Sequence, residues 1–375
     1  MSDSEHSPEA SEFEDEEHVL DVNSDEEVIA AVYDITSYGA DYPVDGLVKR
    51  LKQGDIIVPS FDPSYKEGGE VQGFQRRFVW SRPQMDRFIE SLLLGLPVPG
   101  VFLVRERANV LLVLDGQQRL KTLQAFYDGV HLGREYRLKH VQDAFVDRSY
   151  EDLEDEDRRR LDDSIIHATV LRQEHPAGSQ NAVYSIFERL NTGGSPLQPQ
   201  EIRVALYHGT FLQLIATLNE DQNWRRLYGP VSPRFKDQEL ILRVFALYDN
   251  AGNYGRPVKG FLNDYLGRNR QVEDTHAAVL EDRFRTACAL IYEYIGPRAF
   301  RRVRALNAAV LDAVMVGLMR RLDQGPVIAA DQMEPLYENL IMNAKFVAAT
   351  TSSTAAEESV EDRLQAAASA FRHLN

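Results

Sequence analysis

One cysteine occurs in 375 residues, so no disulfide can form within the chain. Cys288 sits in the apolar helical pattern Ala287-Cys288-Ala289-Leu290 and reads as a core residue. No apolar run approaches the length of a membrane span, and the N-terminus lacks the basic region and apolar stretch of a signal peptide. A cytoplasmic location without membrane contact is the expectation. The nine histidines are scattered, with no pair at helical metal-ligand spacing. Neither a Gly-x-Ser-x-Gly elbow nor a Gly-x-x-x-x-Gly-Lys phosphate loop is present.

Basic residues are missing from the first 48 positions, which hold fifteen of the 58 acids. The remaining 43 acids face all 42 bases, so the net charge of −16 belongs to the N-terminal arm. The near-neutral body lacks the positive charge of a dedicated nucleic-acid binder. Residues 1–27 read as a disordered acidic tail. Such a tail is either solubilising, or a mimic of nucleic-acid charge that covers a basic site until a partner displaces it.

What is present is 43% apolar composition, enough for a sizeable core. Helical spacing is expected over Val44–Gln53. A strand follows at Asp55–Pro59, and residues 60–73 read as a loop. Ser81 and Pro83 start a helix carrying Met85, Phe88, Ile89, Leu92 and Leu93. Strands are expected at Val101–Arg105 and Val110–Leu114, a helix at Gln117–Tyr127, and strands at Arg134–Leu138 and Ile165–Leu171. The charged run Tyr150–Leu161 reads as a solvated helix. From Asn181 onward helices dominate, over 180–190, 198–208, 210–219, 236–249, 279–295, 303–322, 331–347 and 359–373. Residues 350–358 read as a linker. The fold class is α+β, with a disordered acidic arm over 1–43, a mixed α/β domain over 44–172, a helical domain over 173–349, and a linker with a C-terminal helix over 350–375.

Chemistry concentrates at Val113-Leu114-Asp115-Gly116-Gln117-Gln118-Arg119-Leu120, where a strand runs directly into a helix. Backbone N–H groups at such a join are free to hold an anion. Gly116 lets it approach, and Arg119 can clamp phosphate oxygens in a fork. Asp115 can hold Mg²⁺ or orient water. The bland alternative is an ordinary turn. Gly73-Phe74-Gln75-Arg76-Arg77-Phe78-Val79-Trp80 interleaves arginines with aromatics and suits phosphate, a base or a nucleic-acid strand. As a packed loop it would instead bury Phe78 and Trp80. Phe187-Glu188-Arg189-Leu190-Asn191-Thr192-Gly193 ends a helix before a new one that carries Glu201 and Arg203, and spacing alone favours a capped connector. The clusters Arg158-Arg159-Arg160, Arg225-Arg226 and Arg320-Arg321 read as solvated helix faces. The Arg298/Arg301/Arg302/Arg304 cluster, with Phe300 among its charges, is the best nucleic-acid surface.

Taken together, these three stretches resemble the N-terminal domain of GmrSD-type restriction endonucleases, a ParB/sulfiredoxin-like fold. Gln75, Arg76, Phe78 and Trp80 match its Gln-Arg-x-aromatic-x-Trp loop. Asp115 to Leu120 match its Asp-Gly-Gln-Gln-Arg-Leu motif, and Phe187, Arg189, Leu190, Asn191, Thr192 and Gly193 its Phe-x-Arg-Leu-Asn-Thr-Gly motif. The resemblance covers about 50–210. It implies nucleoside-triphosphate binding and hydrolysis coupled to cleavage of modified phage DNA. The family's C-terminal HNH nuclease has no counterpart here, since only His276 and His373 follow residue 250. Sulfiredoxin's cysteine is also replaced, by Gln117 and Gln118.

The expected site therefore has Asp115, Gln118 and Arg119 as catalytic residues. Gln75, Arg76, Gly116, Gln117, Arg189 and Asn191 bind nucleotide, and Asp115 is the ligand for Mg²⁺ or Mn²⁺. Arg76 neutralises charge, Gln118 orients water, Arg189 and Asn191 sense the nucleotide, and Glu201 pairs with Arg203. Expected partners are a nucleoside triphosphate, DNA, and a separately encoded nuclease or methyltransferase, with a homo-oligomer left open. Two alternatives remain: a non-enzymatic DNA-binding, recruiting module, and a metal-dependent nuclease using the ParB-like domain itself.

Overall fold

The computed structural model describes residues 19–20, 34–59, 80–106, 109–175, 181–190, 197–301, 305–327 and 329–374. The chain divides into a sheet unit (31–197 with 204–206) and a helical unit (1–30, 198–203 and 207–375). Together they are an α+β architecture, as the sequence pattern predicts.

Val19–Leu20 (β1) belongs to the helical unit. The sheet unit opens with Asp34–Pro43 (β2), Val44–Gln53 (α1) and Ile56–Ile57 (β3). Arg82–Leu93 (α2), Val101–Arg105 (β4), Leu111–Asp115 (β5) and Gln117–Tyr127 (α3) follow. A small hairpin, Val130–His131 (β6) and Arg134–Glu135 (β7), precedes Asp155–Asp163 (α4), Ile165–His175 (β8) and Asn181–Leu190 (α5). The main sheet has the order β2-β8-β4-β5-β3. Leu103, Val113, Ile166, Ala168 and Val170 point into one core with Ile89, Leu93, Leu120, Leu123 and Phe126 of the helices.

The expected arm over 1–43 ends ten residues too late. Asp34–Pro43 pairs antiparallel with β8 along its whole length, from Asp34 opposite His175 to Pro43 opposite Ile165. Its side chains are mostly exposed, as an edge strand tolerates, so no clear apolar alternation marks it off from the acidic stretch before it. The expected boundary at 172 also moves. β8 runs on to His175, and α5 packs against β5, which keeps α5 within the sheet unit. The strand expected over 134–138 shrinks to two residues.

A buried carboxylate organises this unit. Asp86, fully buried on α2, accepts hydrogen bonds from Arg82 Nε, Lys139 N, His140 N and His140 Nδ1 at 2.9–3.2 Å. Four donors offset the cost of taking the charge out of water. Tyr127 and Tyr150 stack at 4.1 Å, and both donate to Asp162. Burial, followed by that carboxylate, pushes the Tyr150 hydroxyl up to about 12.

After Pro199–Leu206 (α6) the helices are Thr210–Asn219 (α7), Gln222–Tyr228 (α8), Lys236–Asn250 (α9), Val258–Arg268 (α10) and Asp274–Tyr294 (α11). The two-residue strand Leu306–Asn307 (β9) pairs in parallel with β1. Ala308–Leu322 (α12), Met333–Met342 (α13), Ala344–Thr351 (α14) and Glu357–Phe371 (α15) complete the chain. Cys288 is buried, and desolvation raises its thiol pKa, as its apolar setting predicts.

α15 is no appendage behind a linker. Val360, Leu364, Ala367 and Phe371 are buried, and a Cβ on Gly317 of α12 would come within 2.9 Å of the Ala367 Cβ. α8 and α10 fall between the helices that the sequence pattern predicts. α8 is announced only by Asp221, whose carboxylate accepts from Asn223 N and Trp224 N. α10 hides its pattern by burying Lys259 and Asn263. The helix expected over 331–347 is two, because Asn343 caps the second through Phe346 N.

Several arginines expected on solvated faces turn inward. Arg225 donates to Asp237 and Asn219, Arg320 to the Leu247 carbonyl, and Arg321 to the carbonyls of Gly325 and Leu374. Arg158 and Arg160 do lie on a charged face, paired within α4. In the cluster favoured for nucleic acid, Arg298 pairs with Glu334 and Glu338, and Arg301 donates to the carbonyls of Leu227, Tyr228 and Pro297. These two arginines are committed to the fold. Arg302 and Arg304 lie outside the described residues.

Candidate functional site

Strand β5 carries Leu111, Leu112, Val113 and Leu114, all buried, and ends on Asp115, one residue later than the pattern predicts. Gly116 then adopts φ 95° and ψ 12° as the N-cap of α3. This left-handed conformation favours glycine. The space does too, because a Cβ there would lie 2.5 Å from Val101 Cγ1 and 3.3 Å from Arg119 Nε. The Arg119 guanidinium thus folds back over a bare glycine.

Arg119 Nη2 donates to Asp115 Oδ2 at 2.6 Å. The Asp115 side chain is 42% exposed and that of Arg119 only 13%. Because Gly116 has no side chain, no side-chain cap closes α3, and the N–H groups of Gln117, Gln118 and Arg119 have no intrahelical acceptor. Two further groups are left over within the same turn. Gln118 Oε1 and Arg119 Nε are buried without a hydrogen-bond partner. An unsatisfied buried polar group costs about 1–3 kcal/mol, so a donor and an acceptor stranded together call for a solvent or ligand partner. Lys121, one turn along, is half-buried, and desolvation lowers its pKa.

Asp115, Gly116, Gln117, Gln118 and Arg119 are therefore brought together. Arg189 sits exposed in the last turn of α5, the helix that packs against β5. Gln75, Arg76 and Phe78, and likewise Asn191, Thr192 and Gly193, lie outside the described residues. Trp80 is half-buried and packs edge-on against Phe88 at 5.5 Å, as the packed-loop reading expects of it.

Glu201 and Arg203 take separate partners instead of the expected mutual pair. Glu201 accepts from Gln198 N at 2.7 Å and from Arg234 at 3.0 Å. Arg203, fully buried, pairs with Glu239 at 3.0 Å and with Asn263 at 2.8 Å. Residues two apart on a helix do not face each other, which is the reason.

Among the described residues no group of three or more His, Cys, Asp or Glu could hold a metal ion, and no helix is long and apolar enough to cross a membrane. Two open depressions of about 420 and 450 Å³ lie in the helical unit, one beside Asp221 and Arg285, the other between α13 and α15. Neither includes the α3 turn, where Gly116 is buried and Asp115, Gln117, Gln118 and Arg119 are half-buried.

The fold and the turn define an α+β module whose strand-to-helix junction carries no side-chain cap. Residues 63–208 match the family model of the GmrSD restriction endonuclease, N-terminal domain. It is the family that the three motifs resemble. The match covers less than half of the chain and leaves out β2, α1 and β3, although β2 and β3 form both edges of the main sheet. No curated protein matches the chain.

Proposed function

We propose that this chain is the nucleoside-triphosphate-binding and hydrolysing module of a GmrSD-like anti-phage restriction system. It senses or gates DNA cleavage carried out by a separately encoded nuclease. One observation carries the reading. Gly116 opens α3 with unclosed N–H groups, and Arg119, held by Asp115, lies directly over it with Nε still unpartnered. Such a junction favours a polyanion through backbone donors, helix dipole and guanidinium together.

In this reading the terminal phosphates sit against the N–H groups of Gln117 to Arg119. Gln118 orients a water, which attacks the γ-phosphorus. The bond to the β–γ bridging oxygen breaks, and inorganic phosphate and the diphosphate leave, the water's proton passing to Asp115 or to phosphate. A divalent ion such as Mg²⁺ or Mn²⁺ suits a site with one half-exposed carboxylate, because Mg²⁺ takes most of its ligands from substrate phosphates and water. It would supply charge neutralisation, with Asp115 as its protein ligand. Gln75 and Arg76 complete the charge clamp, and Arg189 and Asn191 report the nucleotide state.

Calorimetric titration of wild type, Asp115→Ala and Arg119→Ala with each triphosphate, alongside phosphate release, tests the proposal. Arg119→Ala should weaken binding by about tenfold or more, the scale of a charge-assisted hydrogen bond. Equal affinity in all three proteins would sink the assignment. Salt-sensitive DNA binding without phosphate release would favour the recruiting module.

A further inference from the structure

A second polar pair stands at the end of the sheet where β5 gives way to α3. Asp41 on β2 and His167 on β8 are cross-strand partners, and His167 Nδ1 lies 2.8 Å from Asp41 Oδ1. Their side chains are 60% (His167) and 67% (Asp41) exposed. Ile166, Ala168 and Val170 turn into the core, so His167 and Thr169 face the opposite side of the sheet. Two glycines shape the ground around them. A Cβ at Gly39 would come within 2.9 Å of His167 Cε1, so the imidazole rests over bare backbone. A Cβ at Gly100 would meet the His167 carbonyl oxygen at 2.5 Å, so the lead into β4 runs tight against β8 at this level.

The strand register carries this level across to the α3 turn. Gly39 is opposite Thr169, Thr169 opposite Phe102, and Phe102 opposite Asp115. The backbones of Thr169 and Asp115 are therefore two strand spacings apart, roughly 10 Å. His167 is two residues nearer than Thr169 to the end of the sheet from which Gly116 leaves. Because α3 packs on the core face and His167 lies on the other, a nucleoside triphosphate whose phosphates lie at Gly116–Arg119 would pass over this end of the sheet to bring its sugar and base to His167.

The chemistry of the pair suits the nucleoside end. With Nδ1–H given to Asp41, a neutral imidazole presents Nε2 as a hydrogen-bond acceptor. Every nucleobase offers a ring or exocyclic N–H to such an acceptor. Phe102, half-buried in the row between, offers an aromatic face for stacking. The geometry points to Asp41, His167 and Phe102 as the nucleoside subsite of the triphosphate held at the α3 turn. This rests on the triphosphate reading of that turn.

Titration with ATP, GTP and inorganic tripolyphosphate separates the two. His167→Ala should weaken ATP or GTP about five- to tenfold, the worth of one directed hydrogen bond. It should leave tripolyphosphate affinity unchanged. Phe102→Leu should act in the same direction, and Asp41→Ala more weakly. Arg119→Ala should weaken all three ligands. Unaltered nucleotide affinity in both His167→Ala and Phe102→Leu, or an equal loss for tripolyphosphate, overturns the subsite and leaves the turn standing. If wild type binds neither nucleotide nor tripolyphosphate, the turn itself fails and the subsite falls with it. Thermal unfolding of each variant confirms that it is folded, and His167→Gln, which keeps an acceptor, should recover part of the loss.

Discussion

Helices α2 and α3 belong to the same unit, yet their first turns are finished in opposite ways. At α2, Gln84 Oε1 accepts from Ser81 N at 2.8 Å and from Ser81 Oγ at 3.0 Å, and Arg82 is pinned to buried Asp86. That start is closed by its own side chains. At α3 the cap is Gly116, no side chain closes the turn, and a buried acceptor and donor remain open. Their carboxylates differ in the same sense. Asp86 is fully buried under four donors, whereas Asp115 is half-exposed with Arg119 as its ion partner. One start serves the fold, and the other is left for something to occupy.

Substitutions can break this contrast. The largest effect on stability is expected from Asp86→Ala, which strands the Arg82 guanidinium and the N–H groups of Lys139 and His140. Its loss should be about 3–5 kcal/mol in denaturant unfolding, as for a buried charge pair deprived of one partner. Gly116→Ala should cost about 2 kcal/mol, from a left-handed alanine and the contact with Val101. It should also weaken triphosphate binding in calorimetry, because the added methyl, crowded between Val101 and Arg119 Nε, displaces the guanidinium and distorts the turn. Gln84→Ala should cost only about 0.5–1 kcal/mol and leave triphosphate affinity intact. If Gln84→Ala impaired binding as much as Gly116→Ala, the distinction between a closed and an open start would not hold.

Much of the sheet unit is legible from local pattern. The limits of α1, β4 and α3 follow from helical spacing, β-branched runs and turn residues, and the Asp115–Arg119 turn is visible as a motif. Of the other two motifs only Trp80, and Phe187 to Leu190, fall among the described residues. The His167–Asp41 pair had no signal of its own, since 126 residues separate the two side chains. Alternation along 165–171 could have shown His167 facing away from Ile166 and Ala168, but without a partner that is an ordinary exposed histidine.

Sequence by itself determined what depends on neighbours along the chain. The acidity confined to the arm, the core-facing stripes, the glycine that starts α3 and the arginine one turn behind it are of this kind. Tertiary structure decided what depends on distant partners. It made an edge strand of residues 34–43 by supplying β8 along their whole length. It drew α15 into the core against Gly317 and turned Arg225, Arg301 and Arg321 inward to carboxylates and carbonyls. The physical reason is common to all of these. A strand's ladder and a buried charge are stable only when a specific partner arrives from elsewhere, and no local period encodes that arrival.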